Sequence, residues 1–215
     1  MKIKTIQSLN FPNKSRVKNS IKFVIFHYTG MQSEIASIKR LTNSSSKVSC
    51  HYLINRKGLI VRMVNDNKIA WHAGKSKWKR LKNLNKNSIG IELVNKGHKN
   101  GYQKFQKKQI NSLINLCKIL RKKYLIKKEN FLGHSDIAPL RKIDPGEKFP
   151  WKKLSRFNIG KWYVKKRVDF NLKSKRQKEV FFFRNIYKIG FRYFSIYNRD
   201  KRDKLIIKAF QRRYH

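Results

Sequence analysis

The sequence of residues 21–30 is IKFVIFHYTG, and this stretch decides the class of fold. The run Ile21–Tyr28 is short, rich in β-branched and aromatic side chains, and followed by Thr29-Gly30. This pattern is typical of a buried β-strand. The stretch therefore predicts a strand of the core with a polar side chain, His27, near its end.

Alternating helix and strand patterns follow this strand along the chain. The apolar spacing predicts helices over Ser33–Leu41 and Gln103–Tyr124. A turn at residues 55–58 separates two apolar runs and predicts a hairpin. The predicted strands are His51–Ile54, Leu59–Val64, Ile89–Val94 and Phe131–His134. The order strand, helix, hairpin, strand, helix, strand predicts an α/β fold with a mixed central β-sheet flanked by helices.

The C-terminal part of the chain differs from the rest in pattern. Residues 161–179 are rich in charge and poor in periodic apolar residues, whereas Val180–Tyr197 and Leu205–Tyr214 are typical of two short helices. An apolar face this small is marginal on its own. We predict a main domain over residues 1–158, a basic linker over 159–178 and a small helical appendage over 179–215.

The charge of the chain is strongly positive, with 54 Lys and Arg against 11 Asp and Glu and a net charge of +43. Such a chain attracts polyanions, including nucleic acid, anionic lipid and anionic cell-wall polymer. The lysines are spread along the chain, which an A/T-rich genome would also produce, so both interpretations stay open. Without a helix-turn-helix, zinc-finger or RNA-recognition motif, specific nucleic-acid binding is not predicted.

Three side chains form a candidate metal site. His27 and His134 end predicted strands, and Asp144 lies ten positions after His134 in a loop marked by proline and glycine. Two imidazoles and one carboxylate suffice for zinc and leave a fourth position for water. Spacing alone leaves the alternative open that both histidines are hydrogen-bonded residues of the core.

Five segments in order carry a family resemblance: VIFHYTG, SCHYLI, AWHAGKSKW, NSIGIELVN and FLGHSDIAPLRKIDPGEKFPW. Together they resemble the zinc-dependent N-acetylmuramoyl-L-alanine amidase family over residues 21–151, and the last segment is the most specific. The resemblance implies that zinc is held by His27, His134 and Asp144. It also implies that Glu92 is the catalytic carboxylate and that Lys142 stabilises the oxyanion.

The resemblance also places further side chains in a substrate groove. His51 lies on a predicted strand leading toward the site, and Trp71 and His72 lie in a loop. An aromatic ring can stack on a sugar and an imidazole can hydrogen-bond a peptide. For His51, a buried position near the metal is an equal alternative.

The resemblance implies hydrolysis of the amide between N-acetylmuramic (or anhydro-N-acetylmuramic) acid and L-alanine in peptidoglycan or muropeptides. The alternative is a non-catalytic peptidoglycan-binding protein of the same fold, which the match at all five implied ligand and catalytic positions disfavours. The ending IIKAFQRRY resembles the last helix of a small peptidoglycan-binding module. That tail is expected either to bind the wall or only to pack on the main domain.

The N-terminus and the hydropathy of the chain bear on its compartment. The first fifteen residues, MKIKTIQSLNFPNKS, lack the apolar run of a secretory signal, and no stretch is apolar enough to span a membrane. We therefore expect a cytoplasmic enzyme, with a periplasmic or phage-derived lytic role as the alternatives.

Overall fold

The computed structural model describes residues 3–12, 15–163 and 174–214. Its strands are β1 (Ile3–Thr5), β2 (Phe23–Tyr28), β3 (Tyr52–Ile54), β4 (Ile60–Arg62), β5 (Lys77–Trp78), β6 (Leu81–Lys82), β7 (Ser88–Leu93) and β8 (Phe131–Gly133). Its α-helices are α1 (Glu34–Thr42), α2 (Lys107–Tyr124), α3 (His134–Ile137), α4 (Trp151–Ser155), α5 (Lys175–Ile189) and α6 (Asp203–Tyr214). Short 3-10 turns lie at Lys18–Ser20, Ser44–Ser46, Leu84–Asn87, His98–Asn100 and Lys128–Asn130.

Six strands form one sheet in the order β1-β4-β3-β7-β2-β8. Strand β2 runs parallel to both of its neighbours, β7 and β8, whereas β3 and β4 form the predicted antiparallel hairpin. Strands β5 and β6 make a separate two-stranded ribbon. The predicted α/β fold with a mixed central sheet flanked by helices is confirmed.

Alternate residues of β2 contribute to two separate cores. Val24 and Phe26 belong to the core that includes the apolar side of α2, whereas Phe23 and Ile25 belong to the core shared with α5 and α6. Successive side chains of a strand point to opposite faces of its sheet. The sheet is therefore covered on both faces, and the C-terminal helices complete the second core.

The C-terminal helices differ in extent from the prediction. Helix α5 begins at Lys175, because Ser174 accepts a hydrogen bond from the Gln177 backbone and forms a capping box. It ends at Ile189, because Gly190 follows with φ 142, so the expected helix over 190–197 was wrong. Half of the predicted linker over 159–178, residues 164–173, lies outside the described residues. Strand β1 was not predicted at all.

The helices within residues 3–12, 15–163 and 174–214 include none that combines the length and the apolar character needed to cross a membrane.

A buried carboxylate ties α2 to the sheet at a distance from the strand ends that carry His27 and His134. Asp66 accepts hydrogen bonds from the Tyr52 hydroxyl (2.7 Å), the Tyr124 hydroxyl (2.6 Å) and the Lys123 ammonium (2.9 Å). Burial by itself would raise the Asp66 pKa, but these three donors outweigh it and hold the pKa below its usual range. The ionised form is thus favoured in the folded chain.

We expect Asp66→Asn to destabilise the fold by about 1–3 kcal/mol at pH 7. Because the folded pKa is the lower one, this stabilisation is present above the unfolded carboxyl pKa of about 4 and is lost as the pH falls below it. Denaturant unfolding of both forms at pH 7 and pH 3 measures the difference. A gap that stays constant between the two pH values would contradict the assignment.

Candidate metal centre and active site

The carboxyl ends of three adjacent parallel strands bring the predicted site together. His27 of β2 is the register partner of Glu92 on β7, and Phe26 is the partner of Gly133, which directly precedes His134. The Ser135 backbone donates to the Asp144 carbonyl at 2.8 Å, which holds the following loop against the start of α3. The topology therefore collects side chains from distant parts of the sequence at one edge of the sheet.

His27, His134 and Asp144 meet at a single point. The His27 Nδ1 atom lies 2.9 Å from His134 Nδ1 and 2.9 Å from Asp144 Oδ2, and His134 Nδ1 lies 3.0 Å from the same oxygen. All three side chains are buried. Two imidazole nitrogens and a carboxylate oxygen this close together form a group that could hold a metal ion.

The electrostatics of this group favour the forms that bind a cation. Burial, reinforced by the neighbouring His134, lowers the pKa of His27 to about 4, so its imidazole is neutral at physiological pH. Burial by itself would raise the pKa of Asp144, but His134 and His27 hold it well below its usual range. Neutral imidazoles and an ionised carboxylate are the states in which these side chains coordinate metals.

Glu92 lies beside the three candidate ligands and is only 8% exposed. Burial raises its pKa to about 8, the charge of Asp144 adds to the rise, and Lys142 partly offsets it. Within the described residues its Oε2 atom has no hydrogen-bond partner. A buried carboxyl group that has one unpaired oxygen and a pKa near neutrality is suited to taking up and returning a proton.

A cavity of about 500 Å³ opens over these residues. Its lining includes the buried side chains of His27, Glu92, His134 and Asp144. Five cationic side chains also line it: Arg40, Lys96, Lys99, Arg141 and Lys142. The cavity thus combines a candidate metal group with a positively charged rim.

The three residues expected in a substrate groove occupy different places. His72 lines the cavity, but its ring nitrogens contact His27 (3.1 Å) and Ser88 (3.2 Å). His51 is fully buried and contacts the Arg16 guanidinium at 2.8 Å, in keeping with the alternative of a buried residue near the metal. Neither Trp71 nor His51 is among the described residues that line the cavity.

His98, which carries no signal in the sequence, belongs to the rim of the cavity. Its Nδ1 lies 2.9 Å from the Tyr28 hydroxyl and its Nε2 lies 3.0 Å from Glu147 Oε2. Its ring also stacks on Tyr102 at 4.3 Å between centroids, and the Tyr102 hydroxyl donates to the Pro145 carbonyl. This cluster joins the end of β2 to the loop that carries Asp144.

Comparison with known proteins bears on this site directly. A family model described as N-acetylmuramoyl-L-alanine amidase matches residues 17–147, which include His27, Glu92, His134 and Asp144. The chain belongs to the N-acetylmuramoyl-L-alanine amidase family. The resemblance inferred from the five sequence segments is therefore confirmed.

Individual members of the amidase family resemble the chain over different extents. The N-acetylmuramoyl-L-alanine amidase AmiD of Escherichia coli is 41% identical over 164 residues, 71% of this chain and 58% of AmiD. The 1,6-anhydro-N-acetylmuramyl-L-alanine amidase AmpD of Haemophilus influenzae is 43% identical over 108 residues, 50% of this chain and 56% of AmpD. The matched part of the chain thus spans somewhat more than half the length of these curated relatives.

A solved structure of AmiD from E. coli extends the likeness to the C-terminal helices. The two chains superpose with a TM-score of 0.76 at 31% sequence identity. The superposition covers 94% of this chain and 83% of the AmiD chain. AmiD was solved with the substrate anhydro-N-acetylmuramic acid-L-Ala-D-gamma-Glu-L-Lys. The architecture of this amidase-family chain, including its C-terminal part, therefore has a counterpart in a substrate-bound relative.

Proposed function

We propose that the chain hydrolyses the amide bond between N-acetylmuramic acid, or its anhydro form, and L-alanine in muropeptides or peptidoglycan. The observation that carries the proposal is the convergence of His27, His134 and Asp144 within 3.0 Å of one another, beside the buried carboxyl of Glu92. Family membership and the muropeptide substrate of AmiD support the same reaction.

The donor set fits zinc. His27, His134 and Asp144 would hold the ion, and their number leaves a position open, as in catalytic rather than structural zinc sites. Three acceptor atoms packed this closely repel one another unless a proton or a cation lies between them. When bound, zinc would supply Lewis acidity that polarises the amide carbonyl and lowers the pKa of a water molecule.

The protein side chains would move the protons of the reaction. Glu92 accepts the proton of the attacking water and returns it to the alanine nitrogen, because an amide anion is a poor leaving group. The positive charge of Lys142 stabilises the negative charge that develops on the carbonyl oxygen. The raised pKa of Glu92 suits both halves of this transfer.

The charge of the cavity supports an anionic peptide substrate. Arg40, Lys96 and Lys99 line its outer part, and the ligand in the AmiD structure contains a γ-linked glutamate, whose α-carboxylate is free. A cationic rim raises the local concentration of such a ligand and stabilises its bound carboxylate.

A single digestion tests the function. Purified peptidoglycan and purified anhydro-muropeptide are each incubated with the chain, with added zinc or with a chelator, and the products are identified by mass spectrometry. Release of stem peptides beginning with L-alanine, lost on chelation and restored by zinc, is the expected result. Zinc binding without release from either substrate would reject the enzyme in favour of a peptidoglycan-binding protein.

Removing two charges from the rim should weaken binding without changing chemistry. We expect Lys96→Gln/Lys99→Gln to raise KM for anhydro-muropeptide several-fold, roughly 1 kcal/mol in binding, and to leave kcat unchanged. The effect should shrink as salt is added, because exposed charges are screened. Lys108→Gln/Lys122→Gln, which removes two exposed charges from helix α2, is the matched control, and an equal change in it would assign the effect to net charge alone.

The domain boundaries and the compartment also belong to the proposal. Residues 1–158 form the catalytic domain, and the segment beginning near residue 179 is a helical appendage whose side chains complete one face of the core. Binding of peptidoglycan by this appendage and the cytoplasmic location stay predictions from the sequence.

A further inference from the structure

We propose that the loop of residues 71–74 acts as a brace for the metal site: it fixes both imidazole ligands in the tautomer that presents Nδ1 to the ion, with His72 and Ala73 as positioning residues. The inference rests on the proposed metal site, but it does not depend on which bond the enzyme cleaves.

The state of His27 follows from a chain of hydrogen bonds. The Ser88 hydroxyl lies 2.6 Å from the Leu84 carbonyl, which can only accept, so the hydroxyl proton is used there. His72 Nε2 must therefore donate to Ser88 Oγ at 3.2 Å, which leaves His72 Nδ1 with a lone pair. His27 Nε2, 3.1 Å away, must then donate to His72 Nδ1. The proton of His27 thus lies on Nε2, and its Nδ1 lone pair points toward His134 and Asp144.

His134 reaches the same state through the next residue of the brace. Its Nε2 lies 3.1 Å from the Ala73 carbonyl, an acceptor without a proton to give. The Arg141 Nη2 atom lies farther from His134 Nε2, at 3.4 Å, and donates to the Ala73 carbonyl instead. His134 Nε2 therefore donates to that carbonyl, and its Nδ1 lone pair faces Asp144. The Arg141 guanidinium donates to the same carbonyl and to the Lys75 carbonyl at 2.9 Å, which holds the acceptor in place.

The brace itself is held from outside the site. Asn85 Oδ1 accepts from the backbone of His72 (3.2 Å) and of Ala73 (2.7 Å), and Ser49 exchanges hydrogen bonds with the Trp71 backbone. Gly90 of β7 leaves the space for the His72 ring, because a Cβ there would overlap it. Adjacent residues 72 and 73 thus support the two imidazole ligands from one rigid loop.

This assignment gives His72 a role other than contact with substrate. Both of its ring nitrogens are engaged within the protein, so neither is free for a peptide. Groups that orient metal ligands typically change metal affinity or activity about 10–100-fold when they are removed.

The tautomers, and the hydrogen bonds that hold them, can be read in the zinc-loaded protein, where the ion lies between the three facing acceptor atoms. Long-range ¹H–¹⁵N correlation spectra of the six histidines should show the proton of His27 and of His134 on Nε2. In His72→Leu the His27 Nε2 proton loses its acceptor, so its signal should move upfield and exchange faster with water. His72→Asn keeps an acceptor near the position of Nδ1 and should retain the wild-type signal of the His27 Nε2 proton.

Zinc affinity, measured by competition with a chromophoric chelator, provides the second readout. We expect His72→Leu to bind zinc about 10–100-fold more weakly, and His72→Asn to lose less than about tenfold. Ser88→Ala removes the group that orients His72 without touching either imidazole ligand, and it serves if His72→Leu does not fold. Ser112→Ala, which removes a similar bond from the Ser112 hydroxyl to the Gly58 carbonyl far from the site, should leave affinity and tautomer unchanged.

Two results would overturn the brace. One is a zinc-loaded wild-type spectrum in which the His27 Nε2 proton exchanges with water as fast as it does in His72→Leu, and the other is an unchanged His27 signal and zinc affinity in folded His72→Leu or Ser88→Ala. Either result is independent of hydrolysis. Conversely, a protein with the expected tautomers that releases no stem peptide would reject the proposed reaction and leave the brace intact.

Discussion

Replacing Glu92 by glutamine is expected to lower kcat for muropeptide hydrolysis by about 10²–10⁴ while zinc still binds at one equivalent. Glutamine preserves the size of the side chain but cannot take a proton from water or return one to the leaving nitrogen. Glu92 is not one of the three converging ligand groups, so the metal should be retained. Steady-state kinetics together with metal analysis of the purified variant measure both quantities.

Glu129→Gln is the matched control for this substitution, because Glu129 lies on a 3-10 turn outside the cavity lining. Its activity should equal that of the parent. A Glu92→Gln protein that keeps more than about a tenth of the parental kcat would remove Glu92 from the proton transfer, since such transfer contributes at least about a hundredfold.

Replacing Arg213 by methionine should destabilise the fold by about 3–5 kcal/mol, the usual cost of leaving one buried charge without its partner. Arg213 of α6 forms a buried ion pair with Asp136 of α3, donates to the Phe131 carbonyl at 3.1 Å and stacks over Trp151. Methionine fills much of the same space but leaves the Asp136 carboxylate without a counterion. Thermal unfolding should show a fall of roughly 10 °C.

A double variant separates the effect of the unpaired charge on stability from the effect of lost packing. Arg213→Met/Asp136→Asn removes the unpaired charge and keeps an acceptor for the Gly133 backbone, so it should recover part of the lost stability. Lys208→Met, on an exposed position of the same helix, should change stability by less than about 0.5 kcal/mol. A loss in Arg213→Met no larger than that in Lys208→Met would mean that the ion pair contributes nothing.

The parts of the fold that the sequence predicted are those with strong local patterns. The apolar run ending at His27 is β2, and the periodic apolar residues before Tyr124 form α2, although the helix begins at Lys107 rather than at 103. Strand β1 was missed because it has only three residues, one of them Lys4, and so few residues show no alternation of apolar and polar side chains. Helix α5 begins earlier than predicted. Ser174 and Gln177 have the spacing of a capping box, and this signal for the start of the helix was present in the sequence but was not used.

In the candidate site, too, the residues in distinctive local segments could be predicted, whereas the contacts that depend on tertiary packing could not. His27, His134 and Asp144 were found because their surrounding segments are distinctive, and the structure brings them together. The contacts of His72 and His51 could not be found, because the direction of a ring depends on tertiary packing rather than on sequence spacing. The pairing of Arg213 with Asp136 joins positions 77 residues apart, and no local pattern indicates it.

The wide separation in sequence of the candidate metal ligands has a consequence for the stability of the chain. His27 and Asp144 lie 117 positions apart, so an ion held by both would close a loop of more than half the sequence. The unfolded chain does not hold these two groups together, so the ion would bind the native form and add stability as its free concentration rises. With zinc at this site as proposed, loss of the ion would lower the stability of the fold and make the chain more susceptible to proteolysis, so the lifetime of the protein would depend on the supply of the ion.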